Sequence, residues 1–122
     1  MTTVNHRSQR IAEEIAHEIN AMLAGELKDP RLECSVVVSE VRIAPDMRQA
    51  KVFIAVRATE KEQRDAIKAL EHASGFIRHE LVERLQLRRM PDLHFALDKS
   101  EEYSERIEAL LKEAKKNHSS SA

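Results

Sequence analysis

The chain has 122 residues, 42% of them apolar, with 20 Lys and Arg against 21 Asp and Glu for a formal net charge of −1. That length supports one hydrophobic core rather than two, the apolar share argues against wholesale disorder, and the balanced charge excludes a uniformly basic binder of nucleic acid or membrane. The longest apolar run, Val52 to Val56, is five residues against the roughly 20 of a membrane-spanning helix, and the polar opening from Met1 to Arg10 has no secretory h-region, so a cytoplasmic protein is the expectation.

Ile11, Ile15, Ile19, Met22 and Leu23 recur at helical spacing with Glu13, Glu14, His17 and Glu18 between them, which predicts an amphipathic helix from about Ser8 to Ala24, stopped at Gly25. Lys28-Asp29-Pro30-Arg31 reads as a turn because Pro fixes its own φ and restricts the residue before it. The period then changes. Ser35 to Ile43 reads as a strand with Val37, Ser39, Val41 and Ile43 on one face. After a turn at Ala44 to Met47, a second strand alternates Ala50, Val52, Ile54 and Val56 with Lys51, Phe53, Ala55 and Arg57. A β-hairpin joins the two.

Thr59 and Glu62 have capping-box spacing, and Ile67, Leu70, Ile77, Leu81 and Leu85 continue a helical face to about Leu87. Unbroken, that helix would span roughly 42 Å, too long for a domain with a radius of gyration of about 14 Å. Gly75 is the expected break. Leu93, Phe95 and Leu97 form a third strand, and Asp98 or Ser100 caps a last helix carrying Tyr103, Ile107, Leu110 and Leu111. The expected fold is α+β, a three-stranded sheet covered by helices, in one domain over residues 1–112 with residues 113–122 as a disordered tail. Its element order matches the type II K-homology topology.

Charge is unevenly placed. Residues 1–33 hold four basic and six acidic side chains and residues 98–118 hold five and six, whereas residues 34–57 and 78–91 each hold four and two. Folding that gathers the middle segments on one face would make a polar molecule. The candidate phosphate contacts are Arg42, Arg48, Lys51 and Arg57 on the hairpin, and Arg78, Arg84, Arg88 and Arg89 beyond the break, since guanidinium forks suit phosphate oxygens. The helix after Gly75 adds backbone N–H groups at its positive end, with Ser74 as its expected cap. Phe53, Phe76 and Phe95 read as core residues rather than base-stacking platforms.

Enzymatic chemistry has little support. Glu13 with His17, and His79 beside Glu80, lack a third ligand at fixed spacing, and two glycines cannot build a phosphate loop. Cys34 is alone, which precludes an internal disulfide, and reads as a half-buried strand residue. No catalytic residue, cofactor or metal is expected.

Asp29-Pro30-Arg31, Val41 through Asp46 to Ala50-Lys51-Val52, Ala73-Ser74-Gly75-Phe76-Ile77-Arg78, Leu87-Arg88-Arg89-Met90-Pro91-Asp92-Leu93-His94-Phe95 and Asp98-Lys99-Ser100 follow in an order that resembles the bacterial ribosome-binding factor A family. The likeness runs from Arg7 to about Leu111. It implies a type II K-homology-like fold whose Gly-x-x-Gly loop is replaced by a helix-kink-helix at Ala73-Ser74-Gly75. It also implies a monomeric, non-enzymatic factor that binds the free small (30S) ribosomal subunit during late maturation, supports processing of the 5′-end of 16S rRNA and matters in the cold. On that likeness the RNA-binding residues are expected among Arg42, Arg48, Lys51, Ser74, Gly75, Arg78, Arg84, Arg88 and Arg89. A module that docks ribosomal proteins or other assembly factors without touching RNA is the competing expectation, its surface being the acidic first and last helices.

Overall fold

The computed structural model describes residues 6–100 and residue 110. In chain order they form α1 (His6–Gly25), a 3-10 turn (Pro30–Leu32), β1 (Ser35–Ile43), β2 (Gln49–Arg57), α2 (Glu60–His72), α3 (Ser74–Leu85) and β3 (Asp92–Leu97). Most of the expected final helix, with Tyr103, Ile107 and Leu111, and the whole expected tail lie outside the described residues.

Apolar spacing explains α1. Ala12, Ile15, Ile19 and Met22 are buried and Ile11, Ala16 and Leu23 pack against them. It ends at Gly25, where the sequence places the stop, without a positive φ at the glycine; the N–H groups of Glu26 and Leu27 both donate to the Met22 carbonyl. Asp29 caps the 3-10 turn by accepting the Arg31 N–H, with Pro30 first in the turn. The Arg31 side chain returns to the same carboxylate, and these hydrogen bonds lower the Asp29 pKa from 3.8 to about 2.

β1 and β2 pair antiparallel, from Ser35 opposite Arg57 to Ile43 opposite Ala50. The register shifts between Val38 and Glu40, leaving Ser39 as the extra residue of a β-bulge. This corrects the uniform alternation expected for β1: Val38 and Val41 are buried, and Val37 is 45% exposed. Asn20 of α1 braces the distorted strand, its amide oxygen accepting the Val38 N–H at 2.7 Å and its amide nitrogen donating to the Val38 carbonyl at 3.2 Å. In β2 the alternation holds, with Ala50, Val52, Ile54 and Val56 all facing the core.

α2 opens on the capping box, with Thr59 and Glu62 satisfying each other's backbone N–H groups. The helix breaks at Ala73, whose φ and ψ are −85° and 0°, two residues ahead of the glycine expected to bend. Ser74 is then the first residue of α3, and Ala73 occupies the cap position without a side-chain hydrogen bond, so the expected Ser74 cap is not made. Gly75 is helical, and a Cβ added there would meet nothing within 4 Å. Gly75→Ala is therefore expected to stabilise the fold by about 0.5–1 kcal/mol through a less flexible unfolded chain, read as a raised midpoint in urea; a lowered midpoint would show that the kink needs the glycine.

α3 ends at Leu85, where Gln86 takes a left-handed conformation and its N–H donates to the Val82 carbonyl. The chain then returns as β3, parallel to β2 from Asp92 beside Gln49 to Leu97 beside Ile54. The sheet order is β1-β2-β3. Helices cover the face from which Val52, Ile54, Val38 and Val41 project, and Leu70, Ile77 and Leu81 of α2 and α3 meet Ile15, Ile19 and Met22 of α1 in one core.

Candidate nucleic-acid interface

Parallel pairing of β3 with β2 brings the sequence's two positively biased segments to one end of the sheet. The Asp92 N–H donates to the Arg48 carbonyl at 2.9 Å, which ties the start of β3 to the hairpin turn. Arg78 reaches from α3 to the same place, donating to the Met90 carbonyl at 3.2 Å and lying 3.5 Å from the Asp92 carboxylate. Arg88 and Arg89 are exposed in the bend between α3 and β3, and neither has an ion-pair partner among the described residues. Arg78 and Arg88 thus stand together, with Arg89 next in the chain and the Arg48 backbone tied to the start of β3.

A shallow depression of about 420 Å³ lies within this group, lined by Gly75, Arg78, His79, Val82, Leu87, Arg88 and Met90. Gly75, Arg78, His79 and Val82 share one exposed side of α3 because helical spacing stacks positions three and four apart. Gly75 leaves that side without a Cβ at the first turn, where the helix's partial positive charge is greatest. Ser74 starts the same turn and is half-buried.

The other expected contacts lie elsewhere. Arg84 is held in α3 between Glu26, just beyond the end of α1, with which it makes an ion pair, and Glu80 at 3.1 Å; its side chain is 25% exposed. These hydrogen bonds, the one to Glu26 foremost, raise its already high pKa and make it a tether between α3 and the end of α1. Arg42 and Lys51, opposite each other across the hairpin, both lie over the Phe53 ring, at 5.1 and 5.2 Å from its centroid. Glu40 also holds Arg42, at 2.9 Å. Together with His94, which hydrogen-bonds Gln49, they make a second cationic surface on the sheet face away from the helices.

Sequence reasoning placed all three phenylalanines in the core, and two are not there. Phe53 projects from the outer side of β2, opposite the buried Val52 and Ile54, and Phe76 is 47% exposed on α3. Phe95 does pack against the core. His79, Val82, Leu87 and Met90 were missed as lining residues; their signal was the spacing of 75, 78, 79 and 82 on one helical side. Cys34 precedes β1 as a half-buried thiol whose burial raises its pKa, which disfavours a nucleophilic thiolate.

Two helices joined at a tight break, laid on a sheet whose last strand runs parallel to its middle one, with cations at the break, define a K-homology-like domain. Residues 7–111 match the family model for ribosome-binding factor A. A ribosome-binding factor A from Koribacter versatilis is 46% identical over 118 residues, covering 97% of this chain and 95% of that protein. The crystal structure of ribosome-binding factor A from Thermus thermophilus superimposes with a TM-score of 0.58 at 28% identity, covering 79% of this chain and 97% of that one. Coordinates of the Thermus protein fitted into a cryo-EM map of its complex with the 30S subunit give a TM-score of 0.59 at 26% identity, over 80% and 97% of the two chains. The chain belongs to the ribosome-binding factor A family.

Proposed function

We propose that this protein binds the free 30S subunit during late maturation, supports processing of the 5′-end of 16S rRNA and is needed most in the cold. The pairing of Arg78 and Arg88 around the open first turn of α3, with exposed Arg89 next in the chain, is the observation that carries the RNA contact. The 30S complex of the Thermus relative supports the partner. No bond need be made or broken in this role: the domain binds one rRNA arrangement more tightly than its competitors and shifts the population toward it by that difference. The compact break at Ala73 lacks a flexible loop to clamp single-stranded bases, so backbone contacts rather than base reading set the affinity. Arg42, Lys51 and Phe53 add a second contact on the outer sheet face, and the factor acts as a cytoplasmic monomer.

Salt dependence tests the RNA contact. Four to six phosphate contacts should lower the affinity for free 30S subunits by about two to three orders of magnitude between 50 and 200 mM monovalent salt, at fixed Mg²⁺, in a sedimentation titration. Affinity that stays flat across that range would transfer the anchor to ribosomal proteins.

A further inference from the structure

The end of the hairpin and β3 frame another depression, of about 350 Å³, on the sheet face away from α1, α2 and α3; it is lined by Arg42, Ile43, Ala44, Gln49, Lys51 and His94. Register sets three of these side by side. Arg42 lies opposite Lys51 across the hairpin, and Lys51 beside His94 across the parallel pair, so the three cross the whole sheet in a row about 10 Å wide. Phe53, two residues beyond Lys51, shares that face of β2, flanked by the small side chains of Ala55 on its own strand and Ala96 on β3.

The two cations over the Phe53 ring are not equivalent. Glu40 holds the Arg42 guanidinium at two points, Nε to one carboxylate oxygen at 2.9 Å and Nη2 to the other at 3.3 Å, and Asp98 adds negative charge to its surroundings. Its charge is answered within the chain and its fork is taken, which disfavours a phosphate there. What remains is a planar group pinned at two points, with Cζ 5.1 Å from the ring centroid and a side chain 68% exposed. Guanidinium planes stack unpaired bases. Lys51, by contrast, has no ion-pair partner among the described residues, so its charge is available to a phosphate.

We infer that this depression holds an unpaired nucleotide of single-stranded RNA, its base laid on the Arg42 guanidinium beside Ile43 and Ala44 and its phosphate at Lys51. His94 and Gln49, joined by a hydrogen bond, close the other side. Stacking of this kind tolerates every base, so the site selects single strands over duplexes without reading sequence. Its position suits a strand continuing from α3, because Gln49 pairs with Asp92, the residue Arg78 approaches at 3.5 Å. This role rests on the proposed rRNA contact and specifies it: the α3 cations answer the backbone charge of any RNA, whereas the sheet site requires a base free to stack.

Fluorescence anisotropy tests it, with an end-labelled oligoadenylate of about twelve nucleotides and an abasic oligomer of the same length. Arg42→Lys keeps a charge over Phe53 and removes the plane; it should weaken binding of the oligoadenylate at least about fivefold and leave the abasic oligomer within about twofold. Lys51→Met should weaken both, and Lys61→Met, an exposed change on α2, neither. Arg42 and Lys51 are exposed, so each variant should keep the circular dichroism of the parent. Equal affinity of Arg42→Lys and the parent for the oligoadenylate would overturn the sheet site, as would a parent that binds the abasic oligomer equally well. A parent that binds free 30S subunits with the expected salt dependence but no oligoadenylate would overturn the sheet site alone. Salt-independent 30S binding without oligoadenylate binding would overturn the rRNA contact with it.

Discussion

Changing Arg78, Arg88 and Arg89 together to Glu should lower the affinity for free 30S subunits at least about a hundredfold. Each charged hydrogen bond to phosphate contributes about 1.5–3 kcal/mol, and reversal adds repulsion from the same oxygens. The fold should survive. Arg88 and Arg89 are exposed in a bend, and the contact of Arg78 with Asp92 joins side chains that are 50% and 59% exposed, a kind of pair worth at most about 1 kcal/mol. Arg84→Glu separates binding from structure. Because Arg84 ties Glu80 to Glu26, its reversal puts three carboxylates together and should lower the urea midpoint while affinity, measured where the variant is folded, stays within about threefold of the parent. Sedimentation titrations with circular dichroism on both variants decide the matter. A triple variant that binds normally would move the RNA contact off α3, toward Arg42 and Lys51 on the outer sheet face.

The division between Arg84 and its neighbours shows where sequence reading reaches its limit. Arg78, Arg84, Arg88 and Arg89 are equivalent as charges on a string, and Glu80 could be foreseen as a partner one turn away. Glu26, 58 residues distant, could not, because only the packing of α3 against α1 brings it there. Local signals were read well where one principle dominates: the strict alternation of Ala50 to Val56, the capping box at Thr59, the apolar stripe of α1. They failed where two conformations compete. Val36, Val37 and Val38 in succession permit either phase of a strand, and it is the bulge at Ser39, held by Asn20, that selects Val38 for the core. Phe53 was misassigned for a related reason, since its apolar neighbours in sequence point to the opposite face of the sheet. The length of the α2–α3 segment required a break but did not place it, and a helical turn tolerated Gly75 while Ala73 took the bend.

Asn20 makes the bulge, and its loss should be among the costliest single changes on α1. Both hydrogen-bonding groups of Val38 depend on its one side-chain amide, and Val38 itself is 5% exposed, so water cannot readily replace that amide. Asn20→Ala leaves a backbone N–H and a carbonyl without their partner, at about 1–3 kcal/mol for each such group; partial access to solvent brings the expected total to about 2–4 kcal/mol. Urea unfolding with an unchanged m-value measures it. Glu14→Ala, an exposed change on the same helix, should stay within about 0.5 kcal/mol. The effect should also appear in hydrogen exchange, with faster exchange of the Val38 amide and its β1 neighbours while α2 is unaffected until global unfolding. A loss below about 0.5 kcal/mol would mean that the bulge satisfies Val38 without α1, and that the register of β1 is set by its pairing with β2 alone.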